Sequence, residues 1–254
     1  MPAPTALIRL VPDSFHKALV RDGRRKLDVE LARAQHASYR QALDVAGHDV
    51  EVVPSDEAHP DCVFIEDTAV VVGQVAVIAR SSAVSRQGET PPVARALATR
   101  FPTTEITAPG ILDGGDVFTM GEVVYVGRSA RTNSEGIDQL RAVASHQGLA
   151  LIAVEVHDVL HLKSAVLPID DETVVVTRGT VDEERLNGLH VVYESEGERH
   201  RFSALPLGGG RIAVTANAPV TAEVVSELGH EIVAIDVSEF QAADGGLTCM
   251  SIIF

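Results

Sequence analysis

The sequence predicts an α/β fold of five ββαβ units set in a ring around a pseudo-five-fold axis, one unit being assembled from the two ends of the chain. Three observations predict it. A β-rich pair of segments, a helical stretch and a short apolar strand follow one another in that order from Val63 onward. Chemically distinctive residues recur in step, Asp67, Asp116, His161 and Cys249 being separated by 49, 45 and 88 positions, the last about two repeats. No low-complexity stretch or Gly/Ser-rich linker divides the 254 residues, so residues 1–254 are expected to form a single domain. Repeats closed into a ring leave few open strand edges and bring equivalent positions to a common axis.

The elements follow in order. Ala6 to Arg9 reads as a strand that can pair with the C-terminal stretch Leu247 to Phe254. A helix begins near Asp28, with Ala32, Tyr39, Leu43 and Ala46 on one face, stops at Gly47, and gives way to the strand Val50 to Val53. In the next unit Val63 to Ile65, Ala69 to Val72 and Val75 to Ile78 are β-rich around a turn at Gly73-Gln74. Pro91-Pro92 opens a helix with Val93, Ala94, Leu97, Ala98 and Phe101 at helical spacing, before a strand at Thr104 to Thr107. Asp116 to Met120 and Val123 to Val126 flank Gly121; a helix from Ser134 turns Ile137, Leu140 and Ala144 inward, and the strand Leu149 to Val156 follows Gly148. Ser164 to Leu167 and Val174 to Val176 flank Asp170-Asp171, with a short helix around Asp182 to Leu186 and a strand at His190 to Tyr193. The last copy has Arg211 to Val214, a helix from Thr221 to Leu228 closed by Gly229, and the strand Ile232 to Ile235.

Composition narrows the function. Hydrophobic residues make up 45% and charged residues 22%, the balance of a soluble globular chain rather than a disordered or collagen-like one. The net charge of −15, from 36 acidic against 21 basic residues, repels phosphate backbones, so no nucleic-acid partner is expected. An acidic pocket would suit a cationic ligand. Two cysteines, Cys62 and Cys249, are too few for a disulfide framework. No apolar run is long enough to span a membrane, and Met1-Pro2-Ala3-Pro4 lacks the start of a signal peptide, so a cytoplasmic location and no membrane partner are expected. A homodimer is among the arrangements the sequence allows.

Several residues carry chemistry, each with a plainer alternative. Cys249, after the glycine pair in Asp244-Gly245-Gly246-Leu247-Thr248-Cys249, reads as a thiolate nucleophile or as a buried structural cysteine. His161 in Leu160-His161-Leu162-Lys163 reads as a general acid/base or as a satisfied structural histidine. His157 lies four residues before it, but the segment reads as strand end and loop rather than helix, so no metal site is expected. Leu112-Asp113-Gly114-Gly115-Asp116 either sets a carboxylate at a funnel mouth or makes a turn. Asp61, Glu66 and Asp67 bracket Val63-Phe64-Ile65; as carboxylates they match a guanidinium fork, or they form a solvated acidic turn. On a strand, Glu66 and Asp67 would point to opposite faces. Arg86 and Arg131, in loops after hairpins, can clamp a carboxylate or serve as surface charge.

Taken together, Phe64-Ile65-Glu66-Asp67, Leu112-Asp113-Gly114-Gly115-Asp116, Arg131-Thr132-Asn133, His161-Leu162-Lys163 and Asp244 to Cys249 resemble, in order and spacing, the dimethylarginine dimethylaminohydrolases. That resemblance covers nearly the whole chain and implies the five-bladed α/β-propeller (pentein) fold. It implies hydrolysis of Nω-methylated arginine to citrulline and a methylated amine, through a covalent S-alkylthiouronium on Cys249, without a cofactor or metal. By the same resemblance His161 is the acid/base and Asp113 orients it. Glu66 contacts the substrate guanidinium, Asp67 supports the site, and Asp61 contacts the α-amine with help from Asp244. Arg86 and Arg131 hold the α-carboxylate, and Leu19, within Phe15 to Lys26, lies in a mobile lid.

Two rivals remain. An arginine deiminase runs the same chemistry and releases ammonia, but those enzymes are longer and place an aspartate where this chain has Lys163. A non-catalytic binding protein of the same fold need not keep a Cys/His pair.

Overall fold

The computed structural model describes residues 3–20, 26–194 and 203–254. The chain divides into two compact units, Met1–Ile65 with Ser195–Phe254, and Glu66–Glu194. The first unit begins with β1 (Thr5–Arg9), α1 (Val29–Ala46) and β2 (Asp49–Val53). The second unit runs β3 (Ala69–Val72), β4 (Val75–Ile78), α2 (Thr90–Leu97), β5 (Thr103–Glu105), β6 (Val117–Met120), β7 (Val123–Arg128), α3 (Ser134–His146) and β8 (Ala150–Glu155). It ends with β9 (Val166–Pro168), β10 (Thr173–Val176) and β11 (His190–Tyr193). The first unit resumes with β12 (Ala204–Gly208), β13 (Arg211–Thr215), α4 (Pro219–Glu227), β14 (Glu231–Ile235), α5 (Ser238–Ala242) and β15 (Ser251–Ile253).

Every sheet has three strands and the same plan: the first two antiparallel, the second and third parallel. A parallel pair needs a crossover. α1, α2, α3 and α4 supply it in four sheets, and the short 3-10 turn Glu183–Leu186 in the fifth. The first unit holds β15-β1-β2 and β12-β13-β14, and the second holds the other three sheets. The chain's ends do share a sheet, with Ala6 opposite Ile253 and Ile8 opposite Ser251.

Helix α1 forms where the sequence places it. The Asp28 side chain accepts the Leu31 N–H at 3.0 Å, filling one of the donors a helix start leaves open. Ala32, His36, Tyr39 and Leu43 are buried on one stripe. Ala32, Tyr39 and Leu43 join Phe15, Phe64, Phe240, Leu247 and Met250 in the core of the first unit. Each Leu, Phe and Met among them contributes about 1.5–3 kcal/mol by leaving water. The second unit has two cores, one around Val77, Leu112, Val124, Ile137 and Leu140, the other around Leu162, Val166, Val174 and Val176.

The structure departs from the sequence reading at two strand starts. Val63 to Ile65 precedes the 3-10 turn Ile65–Thr68 instead of forming a strand, and Leu247 leads into the turn Thr248–Met250. These segments are apolar because they are buried (Cys62, Val63, Ile65 and Leu247 are fully enclosed), and enclosure reads like a buried strand when only hydropathy is seen. In consequence Glu66 and Asp67 do not alternate across a strand; both are buried in one turn. Similar turns, Gly114–Asp116 and Leu162–Ser164, stand just before β6 and β9. Strand β12 and helix α5 were not foreseen.

Candidate active site

In the second unit these turns gather a buried charged cluster. His161 is 4% exposed and Asp113 is fully buried. His161 Nε2 lies 3.3 Å from Asp113 Oδ2, and its Nδ1 lies 3.8 Å from Asp67 Oδ1. Burial by itself disfavours the imidazolium, but Asp67, the bond to Asp113, and Asp116 outweigh it and push the His161 pKa up to about 9. Both ring nitrogens then carry hydrogens, one facing each carboxylate.

Asp67 is held from three sides. The Gly115 N–H donates to its Oδ1 at 3.2 Å, and Arg86 Nη1 donates to its Oδ2 at 2.6 Å. Burial would raise its pKa, yet His161 and Arg86 hold the carboxyl below its ordinary range. Arg86 is itself buried, and its Nε and Nη2 grip Glu89 at 3.0 and 2.8 Å. Burial opposes that charge, but the two carboxylates hold its pKa well above the ordinary value. Glu66 Oε1 meets Lys163 Nζ at 2.5 Å; burial still keeps the Glu66 pKa raised.

The glycine at position 115 follows from this crowding. A Cβ there would sit 2.6 Å from His161 Nδ1 and 2.8 Å from Asp67 Oδ1, so only glycine lets the two approach. The Arg131-Thr132-Asn133 run divides its work. Asn133 caps α3 by accepting the Gly136 N–H at 2.9 Å, while the Thr132 Oγ1 accepts the Asp113 N–H at 3.3 Å. Arg131 is half-buried, and its guanidinium makes no ion pair among the described residues.

Asp67, Asp113 and His161 each offer a ligand atom, all within 4.8 Å of one another, and could hold a metal ion. The Arg86 guanidinium on Asp67 and a protonated His161 oppose a further cation there.

The first unit holds the remaining candidates. Cys249 is partly buried, and the Gly246 N–H points at its Sγ from 3.3 Å, a contact that favours a thiolate. Gly245 packs so close to Phe64 that a Cβ would meet the ring at 2.2 Å. Leu247 N–H donates to Ser203 Oγ at 2.7 Å, pinning the loop. Asp244 is exposed with a left-handed backbone, φ +59°. Asp61 is buried, and its Oδ1 accepts the Leu19 N–H at 2.9 Å, so the segment bearing Leu19 is tied to it. Residues 21–25 of the Phe15 to Lys26 segment lie outside the described residues.

Thus Asp67, Arg86, Asp113 and His161 come together, Glu66 pairs with Lys163, and Leu19 meets Asp61. Sequence reasoning missed Glu89, whose only signal was its i+3 spacing from Arg86, and the Lys163 pairing. It also gave no structural part to Thr132 or Ser129, and placed Asp116 only as a repeat position near the axis.

Known proteins resemble this chain throughout its length. The family model described as "N,N dimethylarginine dimethylhydrolase, eukaryotic" matches residues 10–196. The chain is 40% identical to the N(G),N(G)-dimethylarginine dimethylaminohydrolase of Streptomyces coelicolor, across 99% of this chain and 97% of that protein. It is similar to the solved enzyme of Pseudomonas aeruginosa, a cysteine-to-serine variant complexed with citrulline (TM-score 0.95, 30% identity, all of both chains covered). It is also similar to a histidine-to-glycine variant carrying an adduct with S-methyl-L-thiocitrulline (TM-score 0.94, 30% identity, all of both chains covered). The likeness establishes the fold class as the five-repeat α/β propeller.

Proposed function

The chain belongs to the dimethylarginine dimethylaminohydrolase family, and from that premise we propose how its residues divide the chemistry. It is a dimethylargininase: it binds methylated arginine and hydrolyses it to citrulline by way of a cysteine. The guanidinium carbon is a poor electrophile because its charge is delocalised. In our reading Asp67 and Glu66 orient that cation, Asp61 and Asp244 hold the α-amine, and Arg131 and Arg86 hold the α-carboxylate. Leu19 lines the cover.

Cys249 thiolate adds to the guanidinium carbon, forming a C–S bond. His161, kept protonated by the carboxylates around it, gives its proton to the methylated nitrogen as the C–N bond breaks, so a neutral amine leaves instead of an amide ion. The thiouronium remains. His161, now neutral, takes one proton from water; the oxygen bonds to carbon, its second proton passes to solvent as the C=O forms, the C–S bond breaks, and citrulline and thiolate are released. Asp113 orients the ring through both halves.

The observation that carries this reading is His161 buried between Asp113 and Asp67. A plain core histidine would not be placed among carboxylates. The two units are taken to act as one catalytic domain in the cytoplasm; among the described residues no helix is long and apolar enough to cross a membrane.

The test is citrulline release from asymmetric dimethylarginine, with arginine and agmatine alongside. Wild-type enzyme should act on the methylated substrate first, and Cys249→Ser should reduce turnover to background while remaining folded. Release mainly from arginine would move the assignment to a deiminase, and substantial turnover by Cys249→Ser would remove the nucleophile from the scheme.

A further inference from the structure

Asp116 ends the turn Gly114–Asp116 and is fully buried. It stands just before the first strand of its repeat, as the Asp67 turn does in the preceding one, but its surroundings differ from those of Asp67. Asp67 has Arg86; Asp116 makes no ion pair among the described residues and takes three neutral donors instead. Its Oδ1 accepts the Leu162 N–H at 2.8 Å, and its Oδ2 accepts the hydroxyls of Ser129 at 2.6 Å and Thr132 at 2.7 Å.

Each donor belongs to a segment that bears a residue of the reaction. Leu162 follows His161 directly. Thr132 Oγ1 also accepts the Asp113 N–H at 3.3 Å, and Ser129 Oγ also accepts the Arg131 N–H at 2.9 Å. One carboxylate therefore ties together the backbones of the acid/base, of its carboxylate partner and of a binding arginine. Room is made for it: a Cβ on Gly127 would lie 2.7 Å from Asp116 Oδ1 and 2.8 Å from the Leu162 Cβ. Burying a carboxylate costs several kcal/mol unless donors offset it. Burial does raise its pKa, against which His161 and the three donors act. A structural link alone would be met more cheaply by an amide or hydroxyl.

We propose that Asp116 is a positioning residue for the reaction, fixing the Leu162 peptide and, through Thr132, the Asp113 backbone, so that His161 Nε2 and Asp113 Oδ2 stay within reach. The proposal rests on the acid–base reading of His161 and Asp113. Its negative charge has a second effect, since it helps keep His161 protonated.

The test compares Asp116→Asn, Thr132→Val, Thr132→Ser and His161→Gln with the wild type, measuring kcat and KM for asymmetric dimethylarginine across pH, per folded enzyme. Asp116→Asn should lower kcat about 10- to 100-fold, the cost of slight misplacement of reacting groups, with KM changed less than about threefold. It should also move the alkaline limb of kcat to lower pH, which a merely structural role would leave in place. Thr132→Val should lower kcat, and Thr132→Ser, which keeps the hydroxyl, should restore it. If Asp116→Asn does not fold, the Thr132 pair decides. An unmoved kcat and limb in Asp116→Asn, or full activity in Thr132→Val, overturns the proposal. Retained activity in His161→Gln overturns the acid–base reading itself, whichever way the Asp116 variant behaves.

Discussion

Two histidines, one in each unit, are equally buried at 4% exposure and titrate in opposite directions. His36 lies on α1 in the aromatic core, with its ring centroid 6.3 Å from Tyr39 and 6.2 Å from Phe240, and its Nε2 makes no hydrogen bond among the described residues. Burial, aided by Arg40, lowers its pKa from 6.5 to about 4. His161 pays the same desolvation, but Asp67, Asp113 and Asp116 reverse the outcome and raise it to about 9. Removal from water therefore does not decide whether a histidine is a proton donor at neutral pH. The carboxylates within about 4 Å decide it, and of these two buried histidines only His161 is faced by them.

The comparison breaks most sharply on activity. His161→Gln should lower kcat by roughly 100- to 10,000-fold, the usual worth of a general acid/base, while His36→Leu should leave kcat per folded enzyme unchanged. Steady-state assays on both variants check this.

Stability comes next. His36 in the folded state titrates below its unfolded value, so its contribution is intact above pH 6.5 and is lost as pH falls toward 4. The loss is on the order of 3 kcal/mol across that window. His36→Leu should flatten this acid slope in denaturant unfolding at pH 7 and pH 4.5; equal slopes in wild type and variant would show that His36 is not responsible. His161 has the opposite sign. Its stabilising contribution is fully present below pH 6.5 and disappears as pH rises through about 9, so unfolding free energy should fall on the alkaline side.

Smaller changes sharpen the contrast. Asp113→Asn should move the His161 imidazole midpoint, followed by NMR, from about 9 toward 6.5, making it more like His36. Gly115→Ala should leave the fold standing but cut kcat about tenfold, because its Cβ forces His161 and Asp67 apart. An unaltered kcat would mean that their spacing is not critical.

Much of the fold was legible in the sequence. The Asp28 cap, the α1 stripe, the Gly47 stop and the β3–β4 hairpin follow from local periodicity and turn chemistry, which neighbouring residues along the chain determine. The starts of the repeats were misread, since continuous hydropathy around Val63 and Leu247 records burial without recording backbone direction. β12 was overlooked because Ala204-Leu205-Pro206-Leu207-Gly208 contains a proline and ends in glycine, both weak strand signals. Of the candidate site, the residue types at Asp67, Asp113 and His161 stood out by spacing and motif. Glu89 did not, and the motifs that contain Lys163 and Thr132 did not tell their partners, since nothing local marks a contact that is chosen in space.

By itself the sequence determined the repeat order, the helix caps and breakers, and the resemblance that names the chemistry, because these depend on nearest neighbours and on patterns along one dimension. Tertiary structure alone decided which of two equally buried histidines is charged. It also decided that Asp67 answers to Arg86 while Asp116 answers to two hydroxyls and a peptide N–H. Protonation is set by fields that fall off over a few ångströms, and those distances exist only once chain segments 45 or so residues apart have been folded against one another.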